Sequence, residues 1–210
     1  MTDAPLPFGV VLVRHGVTAW NQDKRLQGQL DVPLAPEGVA EAERLAAHLA
    51  AGGERFDRIV ASDLSRASLT ADIIGRALGL PVTHDPRWRE RHLGELQGRR
   101  WTELGDIGHD FIAAVENPPG GEGREEQVAR VAAALDAVRD AAGGRGRALV
   151  VTHGGCVKAA LSLAGLGSPI VPNASLTELW ARAAGGWEAG RIGDTAHLEA
   201  VAVPEGQRTL

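Results

Sequence analysis

Four aliphatic residues, Val10 to Val13, end abruptly on Arg14, His15 and Gly16. A short, unbroken, β-branched run of this kind reads as a strand buried on both faces, and such a strand needs helices packed above and below it. A permanently charged guanidinium and an imidazole gain nothing from a core. Their delivery together to a strand tip therefore asks for a reason other than packing.

The rest of the chain supplies matching elements. "LAPEGVAEAERLAAHLAAGG" reads as a helix, with Pro36 near its start and Gly52-Gly53 as its stop. Its apolar positions Val39, Ala42, Leu45, Ala46 and Leu49 recur at helical spacing. "FDRIVAS" predicts a second buried strand, "SRASLTADIIGRALG" a helix closed by Gly79, and "LPVTHD" a third, short strand. Glu125–Ala142 is expected to be helical, with Val128, Val131, Leu135 and Val138 on one face. "RALVVTHGG" predicts another buried strand, and "CVKAALSLAG" the helix after it. "SLTELWARAAGGWEAGRIGD" suggests a hairpin around Gly185-Gly186. Thr102 to about Gly123, holding "NPPGGEG", takes no clean assignment. Strands alternating with helices predict an α/β fold, a mostly parallel central sheet with helices on both faces. With no internal repeat and no linker, residues 1–203 are expected to form one domain and 204–210 a loose tail.

Composition narrows the function classes. A net charge of −5 over 210 residues argues against a general nucleic-acid binder, so an anionic ligand must be drawn by local charge. Arginine supplies 20 of the 22 basic residues, which for most of them reads as a codon bias. The single cysteine, Cys156, excludes an intrachain disulfide and a cysteine-rich metal site and fits a reducing cytoplasm. "MTDAPLPFG" carries neither a basic segment nor a long apolar stretch, and no run of about 18 apolar residues occurs, so a cytoplasmic protein without membrane contact is expected. Neither nucleic acid nor a membrane is expected as a partner, and a homodimer is possible.

In an open α/β sheet, ligands bind outside the carboxyl ends of the strands. The strands place Arg14-His15-Gly16, Ser62-Asp63-Leu64-Ser65-Arg66 and Thr152-His153-Gly154-Gly155 there, and "WRERHLG" brings Glu90 just after the short strand. Two guanidinium forks and two imidazoles around one point describe a site for a tetrahedral dianion. The helix start after Gly154-Gly155 is expected to add free backbone N–H groups and a positive dipole end. A histidine in line with phosphorus can act as nucleophile, the remaining cations stabilising the equatorial oxygens. An alkoxide leaves poorly, so a carboxylic acid must protonate it; Glu90 is the candidate and would later activate water.

Other chemistries lack their patterns. No HxH or HExxH occurs, so neither a metal nor another cofactor is expected. No Walker loop occurs, and six residues after Cys156, where a cysteine phosphatase loop needs arginine, stands Ser162. Cys156 is expected to be a small buried residue. His48, His84, His92, His109 and His197 read as surface or structural, with His92 a candidate for a pocket rim.

"RHGVTAWN", "SDLSRASLTA", "WRERHLGELQG" and "VVTHGG" resemble, in the same order, the motifs of the histidine phosphatase superfamily, the phosphoglycerate mutase-like group, from roughly Val10 to Leu198. The resemblance implies that His15 is the nucleophile, that Arg14, Arg66 and His153 complete the phosphate pocket, and that Glu90 is the proton donor. It also implies that Asn21 belongs to the pocket, that Gln27, Gly28 and Gly154 line it, and that Thr18 supports the nucleophile loop. Members of this group either hydrolyse the phosphohistidine or return the phosphoryl group to another hydroxyl. "ERHLGELQG" looks like the mutase version. Leu93 and Trp101, however, stand where that pattern expects Tyr and Lys, and Arg99 to Gly123 is a short cover, which favours water and hydrolysis. The expectation is a phosphomonoester hydrolase acting through a phosphohistidine on a small phosphorylated substrate, with a bisphosphoglycerate-dependent phosphoglycerate mutase second and a non-catalytic phospho-ligand binder third. "RLQGQLDVPL", "SDLSRAS" and "VPNASLTEL" also resemble phosphatases acting on sugar phosphoglycerates. Arg99, Arg100 and Glu122 are candidates to contact the rest of the substrate, or are simply solvated.

Overall fold

Val10–Val13 lies at the centre of a six-stranded sheet in the computed structural model, which describes residues 8–104 and 115–199. In chain order the elements are β1 (Gly9–Arg14), α1 (Ala19–Gln22), α2 (Pro36–Ala51), β2 (Arg58–Ala61), α3 (Ser65–Leu78) and β3 (Val82–His84). They continue with α4 (Arg124–Ala141), β4 (Arg147–Thr152), α5 (Gly154–Leu163), β5 (Leu176–Ala181) and β6 (Trp187–Ala189). The strand order is β3-β2-β4-β1-β5-β6. The first four strands run parallel to their neighbours, and β5 and β6 add an antiparallel edge whose turn holds Gly185-Gly186. The single-domain α/β architecture and mostly parallel sheet expected from the sequence are what form. The expected tail from residue 204, and residues 105–114 of the unassigned stretch, lie outside the described residues.

Alternation along the strands divides the core in two. Val10 and Leu12 of β1 face one side, with Val131, Leu135, Val157 and Leu161 of α4 and α5. Val11 and Val13 face the other, with Leu45, Leu49, Ala71 and Ile74 of α2 and α3. Burying each such side chain contributes roughly 1.5–3 kcal/mol, so the two clusters fix the central strands from both faces.

Two local readings shift. α5 begins at Gly154, two residues before Cys156, with extended His153 as its N-cap (φ −126°, ψ 163°). Glycine is a weak helix former, which is why propensity places the start later. α1 has only four residues, too few for a periodic signal; Thr18 and Asn21 close it by a reciprocal capping box.

The loop carrying His15 is clamped between α2 and α3. Glu41 of α2 accepts the Val17 N–H at 2.7 Å, and Thr70 of α3 accepts the Gly16 N–H at 3.2 Å while donating to the Arg66 carbonyl at 2.8 Å. Gly16 and Gly38 meet backbone to backbone: a Cβ on Gly38 would strike the Val17 carbonyl oxygen, and one on Gly16 the Gly38 carbonyl. No side chain can yield there. Gly38→Ala should therefore lower unfolding stability by about 2 kcal/mol; denaturant titration of the variant beside the parent chain would check it.

Candidate functional site

The strand register assembles the site. Arg14 pairs with Thr152 across β1 and β4, so the next residues, His15 and His153, emerge side by side at the carboxyl edge. Their rings sit edge to face, centroids 5.2 Å apart. On the far side of β4, Ala61 pairs with Val151, which brings Ser62 level with Thr152 and within reach of His153.

His15 Nδ1 lies 2.7 Å from the Gly16 carbonyl oxygen. A carbonyl only accepts, so Nδ1 carries the ring proton and Nε2 keeps its lone pair. Burial, followed by the nearby Arg66 and Arg14 guanidiniums, pushes the His15 pKa well below its usual value, which keeps the ring neutral. His153 is depressed in the same way, first by burial and then by Arg66, His15 and Arg14. Its Nε2 is 2.9 Å from Ser62 Oγ, which already accepts the Leu64 N–H. With the Ser62 hydroxyl donating to Nε2, the ring proton lies on Nδ1, which is buried without a partner among the described residues.

Arg14 and Arg66 are held by backbone carbonyls. Arg14 Nη1 donates to Val171 O at 2.6 Å; Arg66 Nη1 and Nη2 donate to Leu30 O and Gly28 O, each at 2.8 Å. In both, Nε is buried with no partner among the described residues. Burial lowers both pKa values, Arg66 to about 10, against the attraction of Glu90. Both remain cations at neutral pH. An unpartnered buried donor is costly, and two guanidiniums plus His153 leave three of them around one neutral imidazole. A tetrahedral oxyanion satisfies that arrangement.

Glu90 faces the same space. Its Oε1 accepts the Arg91 N–H at 2.8 Å and Gln127 Nε2 at 3.3 Å; its Oε2 accepts the Gly155 N–H at 3.0 Å. This corrects the expectation of free amides at the α5 start: the Gly155 amide is already committed to Glu90. A Cβ at residue 155 would strike Glu90 Oε1, so glycine is required for the carboxylate to come this close. Cys156 packs beneath, donating to Arg89 O at 3.0 Å, and burial pushes its thiol up to about 12, an inert group as expected.

A cavity of about 530 Å³ opens over these groups, with Arg14, His15, Arg66 and Glu90 in its floor. Asn21, Gln27, Gly28 and Gly154 line it. Thr18 does not: it is fully buried and donates to Asn21 Oδ1 at 3.0 Å, so it orients Asn21 from behind. Arg99, Arg100 and Glu122 also do not reach the cavity. Glu122 is engaged by Arg130, and Arg100 faces Asp23. His92 lies off the rim, its Nδ1 accepting the Gly94 N–H. The wall instead carries Arg25, Arg91, Arg124 and Lys158, with apolar Leu93, Leu96 and Trp101. Sequence reasoning missed Gln127, Ser62 and Asn173. Asn173 Nδ2 donates to His15 O at 3.0 Å and to Asn21 Oδ1 at 3.2 Å, tying the His15 loop to α1; in the sequence only its place in "VPNASLTEL" marks it. Among the described residues no cluster of three His, Cys, Asp or Glu side chains is placed to hold a metal ion, and no helix is long and apolar enough to cross a membrane.

This combination of a parallel sheet with an Arg-His pair, a second histidine, a second arginine and a glutamate at its edge defines a phosphoryl-transfer site of the histidine type. Comparison with known proteins agrees. The histidine phosphatase superfamily (branch 1) matches residues 10–195. A probable phosphoglycerate mutase of Escherichia coli O1:K1 is 35% identical over 221 aligned residues, covering 95% of this chain and 99% of the relative. Among solved structures, a mycobacterial glucosyl-3-phosphoglycerate phosphatase complexed with VO3 is 32% identical, covering 90% of this chain and 98% of the other at a TM-score of 0.77. A phosphoglycerate mutase from Bacillus anthracis is 25% identical, covering 92% and 96% at a TM-score of 0.82. The chain belongs to the histidine phosphatase superfamily, whose members are phosphatases or mutases.

The two depressed imidazoles carry a stability signature. Below about pH 6.5 the unfolded chain takes up protons at both, while the folded protein keeps both neutral, so stability falls as pH falls below that value. Each should contribute a slope of up to about 1.4 kcal/mol per pH unit. Chemical denaturation at pH 7 and 5.5 should show a smaller loss for His153→Asn than for the parent chain.

Proposed function

We propose that this protein is a phosphomonoester hydrolase acting through a phosphohistidine at His15. One observation supports this most: a neutral imidazole with its Nε2 lone pair uncommitted, surrounded by the three buried, unpartnered donors of Arg14, Arg66 and His153. His15 Nε2 attacks phosphorus as the P–O bond to the leaving group breaks. Glu90 gives its proton to the departing oxygen. Arg14, Arg66 and protonated His153 Nδ1 donate to the equatorial oxygens, where charge is spread in the transition state. Water then attacks the phosphohistidine, Glu90 takes a proton from it, the P–N bond breaks, and inorganic phosphate leaves a neutral His15.

The outer wall favours a substrate carrying a second acidic group. Arg25, Arg91, Arg124 and Lys158 line it with one carboxylate, Glu116, beyond Glu90 of the floor, in a chain whose net charge is −5. Lys158 lies one turn along α5 from Gly154 and Gly155 and is free of ion pairs among the described residues. The names of the mycobacterial phosphatase and the Escherichia coli mutase, both phosphoglycerate enzymes, point the same way. Mutase action is the second reading, supported by that 35% identity and by "ERHLGELQG". The apolar Leu93 and Trp101 in the wall support hydrolysis over it.

Two assays test this. The protein should hydrolyse p-nitrophenyl phosphate in the presence of EDTA, with turnover lost in His15→Ala and an acid-labile phosphoryl group trapped on the parent chain by rapid quench. No turnover of any phosphomonoester would leave a binding module, whereas primer-dependent interconversion of phosphoglycerates would establish the mutase. In a matched pair, 3-phosphoglycerate should exceed glycerol 3-phosphate in kcat/KM by roughly tenfold, about 1.4 kcal/mol. Lys158→Met should narrow that ratio without changing glycerol 3-phosphate.

A further inference from the structure

Glu90 sits on backbone that has no secondary structure. After a 3-10 turn at Pro86–Trp88, residues 89–93 belong to no helix or strand. Their carbonyls have no ladder to bond to, and buried carbonyls must find donors. The donors come from side chains on other elements. Thr152 at the end of β4 donates to Trp88 O at 2.7 Å, and Gln29 donates to Glu90 O at 3.0 Å. Arg130 of α4 holds two carbonyls at once, Arg87 O at 2.7 Å and Arg89 O at 2.9 Å, both through Nη1. Its Nε and Nη2 grip both oxygens of Glu122 at 2.7 and 2.6 Å. Glu122 in turn donates its own N–H to His92 O at 2.7 Å. The Arg130–Glu122 pair thus brackets Glu90 from residues 87 and 89 on one side and 92 on the other, while Arg130 neither lines the cavity nor touches the Glu90 carboxylate.

We propose that Arg130, locked to Glu122, is a positioning residue for proton transfer: by fixing the carbonyls of Arg87 and Arg89 it aims the Glu90 carboxyl at the leaving-group oxygen. The proposal rests on the reading of Glu90 as the general acid. Lysine cannot substitute, because one point charge cannot hold two carbonyls and a carboxylate fork together. The consequence is selective. A proton matters greatly to a departing alkoxide and little to a dinitrophenolate, which leaves as a stable anion.

The test is kcat/KM for glycerol 3-phosphate and for 2,4-dinitrophenyl phosphate in the parent chain, Arg130→Met, Arg130→Lys, Glu122→Gln, Glu90→Gln and the Glu90→Gln/Arg130→Met double variant. Arg130→Met should lose about 100-fold on the alkyl ester and less than about threefold on the dinitrophenyl ester, and should cost nothing further on the alkyl ester once Glu90 is Gln. Arg130→Lys and Glu122→Gln should show the same selectivity, and carry the test if Arg130→Met does not fold. Equal losses on both esters, no loss on the alkyl ester, or full additivity in the double variant would overturn the proposal while leaving Glu90 in its role. Equal losses in Glu90→Gln itself would remove the acid role and this proposal with it.

Discussion

Everything at the site follows from one pairing register. β1 and β4 are parallel neighbours with Arg14 opposite Thr152, so the residue after each strand is a histidine and the two rings meet. Side chains alternate faces along a strand, and a slip of one residue would send an imidazole to the wrong side of the sheet and turn Val10–Val13 inside out relative to its two cores. The register is therefore held by hydrophobic burial above and below, with Arg14 and Arg147 only at its two ends. Packing of α2, α3, α4 and α5 against the sheet is what permits two neutral histidines to share a wall with two arginines.

That electrostatic arrangement is costly in the free protein. Arg14 and Arg66 are largely buried, and burial of the two imidazoles, reinforced by these charges, keeps both rings unprotonated. Each leaves a guanidinium N–H without a partner among the described residues. Backbone strain accompanies this: Ala174, buried and at φ 53°, donates its N–H to His15 O and accepts a hydrogen bond from His197. A left-handed alanine is unfavourable in isolation, and its persistence beside His15 fits a site that the surrounding fold over-determines.

Much of this was legible in the chain because the relevant residues sit at places where local sequence speaks clearly. A strand's end is visible as an abrupt change from aliphatic to polar, so the placement of Arg14, His15 and His153 is legible at once. Arg66 and Glu90 were found by motif. What escaped depends on long-range approach. Gln127 is one buried glutamine on an otherwise amphipathic helix, and nothing nearby marks it as a partner of Glu90. Asn173 reaches His15 across more than 150 residues. The outer wall is hidden for a related reason: the sequence leaves Arg99, Arg100 and Glu122 open between substrate contact and solvation, and where irregular backbone directs its side chains is set by tertiary bonds that local pattern does not encode. The Gly155 amide, expected to be free, was already taken by Glu90 for the same reason.

The cavity's floor and wall belong to different parts of the interior. The floor is set by strand ends, the starts of α3 and α5 and the Glu90 segment, and its strands and helices are held in place by the two large clusters. Much of the apolar wall, Leu26, Leu93 and Leu96, belongs to a separate small cluster with Leu104 and Val115. Substitutions there disturb few of the side chains that keep the sheet in register. The fold thus separates the part that handles the phosphoryl group from the part that meets the remainder of the molecule, so a lineage built on this scaffold can change diet while conserving its chemistry.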